Sequence, residues 1–187
     1  MLEVGCGHGR LARALDALGY RVVAIDPAAP DGAIFQAVSL EELADPGAFD
    51  AVVACRALHH IPDLADALSK LHRLLVPDGR LIVVEHAFER LDEPTARWYL
   101  EKRRARQPRA PSSVDACVAK WEADHAGLHT SPAMRRELDG HFTERWFAWT
   151  PSLYLELGEG LEGEERRLIE AGTIQATGFH YVGAPRR

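Results

Sequence analysis

The sequence has no excess of positive charge, few cysteines and no long apolar run. Its 187 residues carry a formal net charge of −6, whereas a surface that binds nucleic-acid phosphates normally carries a surplus of Lys and Arg. We therefore expect no nucleic-acid partner. No apolar run approaches the ~20 residues that a membrane-spanning helix needs, so we expect no membrane partner either.

The small number of cysteines bears on the cellular setting. The three cysteines stand at positions 6, 55 and 117, and an odd, widely spaced set is typical of a reducing compartment rather than of a disulfide framework. A secretory signal needs a basic leader followed by an apolar run, and neither is visible at the N-terminus. These features predict a cytoplasmic protein.

What the chain does contain is an alternation of strand-like and helix-like segments over residues 1–86. Its composition, with 47% hydrophobic and 27% charged residues, is that of a globular protein long enough for one domain with a core. Alternating strands and helices predict an α/β fold with a parallel sheet whose faces are covered. The predicted strands are LEV, RVVAID, IFQAV, FDAVVAC and RLIVVEH.

The helices of this region are predicted from apolar spacing and from capping residues. One helix is predicted from Gly9 to Leu18, and another in DLADALSKLHRLLV, which the turn Pro77–Gly79 follows. A short helix is predicted in SLEELADP, where Ser39 would be the N-cap and Glu42 would complete a capping box. The link PAAPDGA is too short for a helix, and we expect it to be extended.

The pattern changes after His86. For residues 88–140 the sequence predicts helices, which form either a cap on the sheet or a small insertion. After them it predicts a strand in FTERWFAW, a helix in EGEERRLIEAG and a last strand in IQATGFHYVGA. The basic stretch 101–109 could steer an anionic substrate, but such runs are more typical of a solvated helix face. Several aromatic residues could line an acceptor pocket, although core packing is more typical of them: Trp98, Tyr99, Trp121, Trp146 and Trp149.

A glycine-rich loop lies between the first strand and the first helix, in LEVGCGHGRLARAL. Glycine lets a backbone adopt positive φ and approach a ligand closely, and a helix start presents free N–H groups. The dinucleotide fingerprint G-x-G-x-x-G would need a glycine at position 10, where Arg10 stands, which disfavours a nicotinamide cofactor. Asp26 ends the second strand, where its carboxylate could accept hydrogen bonds from both hydroxyls of an unphosphorylated ribose.

Four segments, in this order, resemble the class I S-adenosylmethionine-dependent methyltransferases of the small-molecule type: LEVGCGHGRLARAL, VVAIDP, FDAVVACRALHHIPD and LLVPDGRLIVVEH. The resemblance implies a doubly wound, mostly parallel sheet of about seven strands, with an antiparallel last strand. It implies one domain over residues 1–187, with 88–140 as a helical cap over the carboxyl edge. The implied activity is methyl transfer from S-adenosylmethionine to a small-molecule acceptor, with S-adenosylhomocysteine as the product.

The resemblance also implies roles for individual positions around the cofactor. The glycine loop would pass under the methionine part, with Glu3 near the amino group, while Asp26 would bind the ribose and Pro27 would lie beside the adenine. Ser39 and Leu40 fall near the adenine amine, where the family often has an acid instead of Ser39. The remaining cofactor positions would be Gly5, Cys6, Gly7 and Gly9 in the loop, and Cys55 and Arg56 beneath the sulfonium.

Two histidines beyond the fourth strand are candidates for catalysis. An unperturbed histidine titrates near pH 6.5, so His59 or His60 could accept a proton from the methyl acceptor. The alternative is that the pair packs or caps the next helix. A metal site is not expected, because the spacing of Cys55, His59, His60 and His86 fits no zinc-binding pattern.

The chain departs from the family at its start. The family normally has one or two helices before the first strand, whereas this sequence begins inside that strand, so either the start is too late or the site is more open. This departure leaves a second hypothesis, a non-catalytic protein that keeps the fold and binds S-adenosylmethionine. A third and weaker hypothesis is an NAD-dependent oxidoreductase.

Overall fold

The computed structural model describes residues 1–44, 47–106, 110–158 and 160–186. The chain divides into two compact units. The first comprises Met1–Glu85, Pro132–Phe147 and His180–Arg187, and the second comprises His86–Ser131 and Ala148–Phe179. Most of the predicted 88–140 segment therefore falls in the second unit, together with residues 148–179. That this segment caps the carboxyl edge of the sheet stays a prediction.

Within the described residues, seven strands form one sheet. The strands are β1 (Leu2–Val4), β2 (Val23–Ile25), β3 (Phe35–Gln36), β4 (Phe49–Cys55), β5 (Leu75–His86), β6 (Phe142–Thr150) and β7 (Gly178–Pro185). Their order is β3-β2-β1-β4-β5-β7-β6, and the sheet is mostly parallel with one antiparallel hairpin. The predicted doubly wound α/β fold is confirmed.

The helices alternate with the strands in the first part of the chain and follow one another in the second. They are α1 (Arg10–Ala17), α2 (Leu64–Leu74), α3 (Glu93–Arg104), α4 (Val114–Asp124), α5 (Ser131–His141), α6 (Tyr154–Leu157) and α7 (Glu162–Glu170), with 3₁₀ turns at Leu58–His60 and Phe88–Arg90. As predicted, no helix lies between β2 and β3, a stretch that the structure describes in full. None of the described helices is both long and apolar enough to cross a membrane.

The centre of the sheet positions the candidate site. Strand β1 pairs in parallel with β2 on one side and with β4 on the other, so that Leu2 lies opposite both Val23 and Val52. The chain runs outward from β1 through β2 to β3 and then returns to β4. This reversal creates a crevice at the carboxyl ends of β1 and β4, which is where open α/β sheets bind their ligands.

Helix α2 shows how local sequence signals produce these elements. The Asp63 carboxylate caps its N-terminus by accepting a hydrogen bond from the Asp66 backbone N–H at 2.9 Å. One face of the helix carries most of the apolar stripe that the sequence predicts, whereas Leu75, which the same spacing includes, begins β5. The buried residues of this stripe are Leu64, Ala67, Leu68, Leu71 and Leu74.

The predicted short helix in SLEELADP is wrong over residues 39–44, and residues 45–46 lie outside the described residues. The capping box does form: the Ser39 N–H donates to Glu42 Oε2 at 3.0 Å, and the Glu42 N–H donates to Ser39 Oγ at 3.3 Å. Only one turn follows, because Lys70 Nζ donates to the carbonyls of Glu41 and Leu43 at 3.1 and 2.7 Å. These carbonyls are the acceptors that a longer helix would use.

The predicted turn at Pro77–Gly79 lies inside β5 rather than before it. The pairing of β5 with β4 changes from Phe49 opposite Leu75 to Ala51 opposite Arg80, so several β5 residues bulge out of the ladder. The Pro-Asp-Gly signal therefore marks a bulge that interrupts one long strand, and not the boundary between a helix and a strand.

The second unit has its own apolar core, to which the predicted aromatic residues contribute. Trp98, Tyr99 and Trp121 are buried there, as core packing requires, whereas the side chain of Trp149 is 42% exposed. In the first unit, Trp146 is 50% exposed. The indole N–H of Trp121 donates to the Phe88 carbonyl at 2.9 Å, which satisfies its polar group inside the core.

The basic stretch in α3 is engaged within its own unit. Lys102 Nζ lies 2.7 Å from Glu164 Oε1, and the Arg104 guanidinium donates to the carbonyls of Pro111 and Ser112. Residues 107–109 lie outside the described residues. The described part of this stretch therefore fits the helix-face alternative better than substrate steering.

Candidate functional site

The glycine loop folds back on the end of β2. The backbone N–H groups of Gly5 and Cys6 both donate to the Ile25 carbonyl, at 2.9 and 3.0 Å. Gly5, Gly7 and Gly9 all have positive φ values, of 72°, 50° and 75°. Any residue with a Cβ is strained in this region, so each of the three positions favours glycine.

The surroundings of the three glycines differ. A Cβ on Gly5 would lie 2.5 Å from the Cβ of Ala57, and a Cβ on Gly9 would collide with the ring of Phe35. A Cβ on Gly7 would meet nothing within 4 Å. The backbone at Gly7 is therefore open on that side, and a ligand can approach it closely.

Asp26 ties the end of β2 to the glycine loop. Its Oδ2 accepts a hydrogen bond from the Gly7 N–H at 2.9 Å, and its Oδ1 accepts one from the Ala28 N–H at 2.8 Å. Each oxygen of an ionised carboxylate can accept a further hydrogen bond. The carboxylate is thus held in place and keeps acceptor capacity for a ligand.

A pocket of about 260 Å³ opens at the carboxyl ends of β1, β2 and β4. Seven of the predicted site residues line it: Gly5, Asp26, Pro27, Ser39, Leu40, Arg56 and His60. Its other lining residues are Val4, Ile25, Val38, Glu41, Ala57, Ile61 and Pro62. The predicted residues that are not part of this lining are Glu3, Cys6, Gly7, Gly9, Cys55 and His59.

Glu3 lies in β1, two residues before the first glycine of the loop. Its side chain is 3% exposed, and burial raises the pKa of its carboxyl group, while a hydrogen bond from the Ala12 backbone acts in the opposite direction. Its Oε2 atom is buried and has no hydrogen-bond partner among the described residues. A buried carboxyl group with one oxygen unpartnered is costly, which makes Glu3 a candidate for a functional position.

The two cysteines near the site are poor nucleophiles. Burial, followed by the charges of Glu3 and Asp26, raises the pKa of Cys6 to about 11. Burial and the charge of Glu85 raise the pKa of Cys55 above its ordinary value. Both thiols therefore stay protonated at neutral pH. Cys6 is buried, and Cys55 is partly buried.

The segment after β4 forms a tight turn that Glu85 holds from β5. The Oε1 atom of Glu85 accepts hydrogen bonds from the N–H groups of Ala57 and Leu58, at 2.8 and 2.7 Å. Its Oε2 atom lies 2.6 Å from the Nδ1 atom of His59, and both side chains are buried. One carboxylate thereby fixes the backbone and the first histidine of the turn.

The two histidines face different surroundings. His59 is 5% exposed and is engaged with Glu85, whereas His60 is exposed and lines the pocket. The two rings lie 4.1 Å apart between centroids. Partial desolvation, followed by the proximity of His59, lowers the pKa of His60, so its ring is neutral at physiological pH and can accept a proton.

Sequence reasoning missed Glu85, although a signal for it exists. Glu85 is the last residue of LIVVE, an otherwise apolar run in β5, which pairs in parallel with β4. A charged side chain in such a buried strand needs hydrogen-bond partners. Those partners come from a turn far away in the sequence. In the described part of the chain, no three His, Cys, Asp or Glu side chains are grouped so as to hold a metal ion.

A family model described as a methyltransferase domain matches residues 1–130, which is more than half of the 187 residues. The chain belongs to this methyltransferase family. The match includes β1 to β5 and every residue of the pocket described above. The resemblance seen in the sequence is therefore confirmed.

Curated relatives match this chain over part of its length. The ubiquinone biosynthesis O-methyltransferase of Pseudomonas paraeruginosa is 31% identical over 98 residues, which cover 44% of this chain and 42% of the relative. The mitochondrial ubiquinone biosynthesis O-methyltransferase of Mus musculus is 35% identical over 101 residues, which cover 44% of this chain and 27% of the relative. The chain thus spans less than half the length of these relatives.

Solved structures resemble this chain over nearly all of its residues. An S-adenosylmethionine-dependent methyltransferase from Mesorhizobium loti has a TM-score of 0.62 at 16% identity, covering 99% of this chain and 90% of the other. The 1,6-didemethyltoxoflavin-N1-methyltransferase of Burkholderia thailandensis, solved with 1,6-didemethyltoxoflavin and S-adenosylhomocysteine, has a TM-score of 0.57 at 18% identity, covering 100% and 70%. At these identities the similarity establishes the fold.

Proposed function

We propose that this domain transfers a methyl group from S-adenosylmethionine to a small-molecule acceptor and releases S-adenosylhomocysteine. The observation that carries the proposal is the joining of the glycine loop to Asp26 at the edge of a pocket, at the point where the sheet reverses its strand order. Such crevices bind nucleotide-like ligands in open α/β folds.

The residues around the pocket fit an adenosyl amino acid. Asp26 keeps lone pairs for two ribose hydroxyls while its present hydrogen bonds hold it in place. Pro27 and Leu40 offer apolar contact to an adenine ring. Glu41 belongs to the same lining, and its carboxylate can replace the acid that the family often has at position 39. The open backbone at Gly7 accommodates the methionine part.

Glu3 supports the same assignment. Its buried carboxyl group binds the Ala12 amide and does not line the pocket, so we assign it to positioning the loop under the ligand's amino group. Cys6 and Gly9 shape the loop without lining the pocket. Cys55 is the last residue of β4, directly before the turn that begins at Arg56.

Methyl transfer from a sulfonium requires the protein to align the donor and the acceptor more than to activate the methyl group. S-adenosylmethionine, when bound, supplies a methyl group that is already activated on a sulfonium. The protein contributes by holding the acceptor and by excluding water, and such alignment can supply about 7–11 kcal/mol of the barrier. His60 is placed to take the proton of a hydroxyl or amine acceptor, since its ring is neutral and borders the pocket.

A small molecule is the acceptor class that we favour. The Burkholderia neighbour is named for a small-molecule acceptor, and the curated relatives are named O-methyltransferases of ubiquinone biosynthesis. The net charge of −6 argues against a nucleic-acid acceptor. The three free cysteines fit a reducing, cytoplasmic setting.

Calorimetric titration of the purified domain with S-adenosylmethionine, S-adenosylhomocysteine and NAD tests the proposal. We expect both adenosyl amino acids to bind and NAD not to bind. Asp26→Ala should weaken the binding of both by about tenfold or more, because a charge-assisted hydrogen bond contributes about 1.5–3 kcal/mol. Asp31→Ala, which changes an exposed carboxylate outside the pocket, is the matched control and should bind as the wild type does.

Three outcomes of this titration are informative. Preference for NAD, or failure of both adenosyl amino acids to bind, contradicts the proposal. Binding without methyl transfer to any acceptor in a panel of phenols, amines and thiols would favour the non-catalytic hypothesis instead. Formation of S-adenosylhomocysteine that depends on an acceptor confirms the enzyme.

A further inference from the structure

Arg56 has features that the proposed reaction does not yet use. Its φ is 55°, and it is the only non-glycine residue with a positive φ in the described part of the chain. Its side chain is exposed, and its guanidinium has no hydrogen-bond or ion-pair partner among the described residues. Among the residues that line the pocket, it is the single Lys or Arg.

The backbone strain at Arg56 is maintained by its neighbours. A positive φ is unfavourable for a residue with a Cβ, and Gly or Asn would adopt it more readily. The Arg56 N–H donates to the Val84 carbonyl at 2.8 Å, and Glu85 binds the two backbone amides that follow. Strain that the surrounding structure maintains in this way is characteristic of ligand-binding positions.

The charges of the pocket are unevenly placed. Among the charged residues of the lining, Asp26 and Glu41 follow β2 and β3, whereas Arg56 follows β4. The positive charge of Arg56 contributes to the lowered pKa of His60 and partly opposes the raised pKa of Cys55, so this charge lies close to the candidate base. An anion bound in this pocket therefore finds attraction at the β4 side and repulsion at the β2 side.

We propose that Arg56 is the carboxylate-binding residue of this pocket. A guanidinium can hold a carboxylate through two parallel N–H···O hydrogen bonds, which fix its orientation as well as its position. The inference rests on the proposed methyl transfer, whose ligands offer this group from two sources. One is the α-carboxylate of S-adenosylmethionine itself, and the other is a carboxylate on an acidic acceptor.

Three variants separate a binding role from a structural one. Arg56→Asn removes the charge and introduces a residue that tolerates positive φ, so its thermal midpoint should equal or exceed that of the wild type. Arg56→Lys keeps the charge. Arg73→Asn is the matched control. Arg73 is an exposed arginine of α2 outside the pocket, and its guanidinium donates a hydrogen bond to Ser69 Oγ.

The first arm of the experiment tests the cofactor's carboxylate by calorimetry. The ligands are S-adenosylhomocysteine and S-adenosyl-3-thiopropylamine, which is the same molecule without its carboxylate. If Arg56 binds this group, Arg56→Asn should weaken the binding of S-adenosylhomocysteine by about tenfold. The affinity for S-adenosyl-3-thiopropylamine should not change. Arg73→Asn should bind both ligands as the wild type does.

The second arm tests the acceptor's carboxylate. The complex with S-adenosylhomocysteine is titrated with benzoate and with benzamide, which is similar in shape but neutral. If Arg56 binds an acidic acceptor, the wild type and Arg56→Lys should prefer benzoate, and Arg56→Asn should lose the preference.

Either pattern supports a carboxylate site at Arg56, and the two arms distinguish its source. If Arg56→Asn binds all four ligands as the wild type does, the inference is overturned while the proposed function stands. If the wild type itself does not bind S-adenosylhomocysteine, the proposed function is contradicted and the inference falls with it.

Discussion

At the scale of single residues, adjacent side chains in this domain have separate tasks. His59 is buried against Glu85, while His60 points to the pocket. A short 3₁₀ turn places them in different surroundings, because successive residues on such a turn lie on different faces. The buried ring supports the turn, and the exposed ring remains available to an acceptor.

Replacing His60 tests its role as a base. His60→Ala should lower kcat by about 10²–10⁴-fold, the range typical for loss of a general base. His60 must be neutral to accept a proton, so wild-type activity should decline as the pH falls through its pKa, which lies below the ordinary 6.5. His60→Ala should lose this acid limb, and His141→Ala, outside the pocket, should keep it. An unchanged kcat in His60→Ala would exclude the role.

The glycine loop allows a matched pair of substitutions. Gly5→Ala combines an unfavourable φ with a clash against Ala57, so it should reduce the free energy of unfolding by about 2–5 kcal/mol. Gly7→Ala meets no neighbour and should cost about 1–2 kcal/mol, which is the strain alone. Chemical denaturation measures both values. Equal losses in the two variants would show that the contact with Ala57 does not matter.

At the scale of elements, the site depends on a strand and a turn that one carboxylate joins. Glu85 belongs to β5, and the amides that it accepts belong to the turn after β4. The parallel pairing of these strands brings both ends to the same edge. The conformation of Arg56 and the direction of His60 therefore depend on a residue that does not line the pocket.

Removal of this carboxylate should destabilise the fold strongly. Glu85→Ala leaves two buried amides and His59 without their acceptor, so the free energy of unfolding should fall by about 3–5 kcal/mol. Glu93→Ala is the control: its ion pair with Arg97 is exposed and should contribute less than about 1 kcal/mol. Urea denaturation that shows equal losses would contradict the assigned role of Glu85.

Lys70 makes a similar connection from α2 to the loop at residues 39–43. Its ammonium holds the carbonyls of Glu41 and Leu43, and Ser39 to Glu41 line the pocket. Lys70→Met should therefore weaken S-adenosylhomocysteine binding several-fold, whereas Lys120→Met, which breaks only an exposed pair with Asp124, should not. Calorimetry measures the affinity of both variants. Equal affinities would show that the contact of Lys70 with the loop does not affect ligand binding.

At the scale of the whole molecule, the sequence predicted the parts that depend on local pattern. The alternation of apolar runs predicted β1 to β5, and the glycines with Asp26 predicted the elements that meet at the pocket. These signals are local, because a buried strand is recognised from a short apolar run and a positive φ from a single glycine. The family resemblance supplied the number of strands, about seven, and the mostly parallel sheet.

The parts that could not be predicted depend on contacts between distant residues. Lys70 ends the turn after Ser39 because its ammonium group binds the carbonyls of Glu41 and Leu43. The sequence SLEELADP contains no signal for this contact with a distant residue. The different surroundings of His59 and His60 depend on Glu85, which lies in another strand. The strain at Arg56 likewise follows from the turn that Glu85 holds, because arginine itself has no preference for positive φ.

A crystal structure of the domain with S-adenosylhomocysteine tests the central claim most directly. The account predicts that both ribose hydroxyls lie within hydrogen-bonding distance of the Asp26 carboxylate and that the amino-acid part crosses the backbone at Gly7. The sulfur should face the turn that begins at Arg56. A nucleoside bound elsewhere, or bound in this pocket with its ribose away from Asp26, would contradict the account.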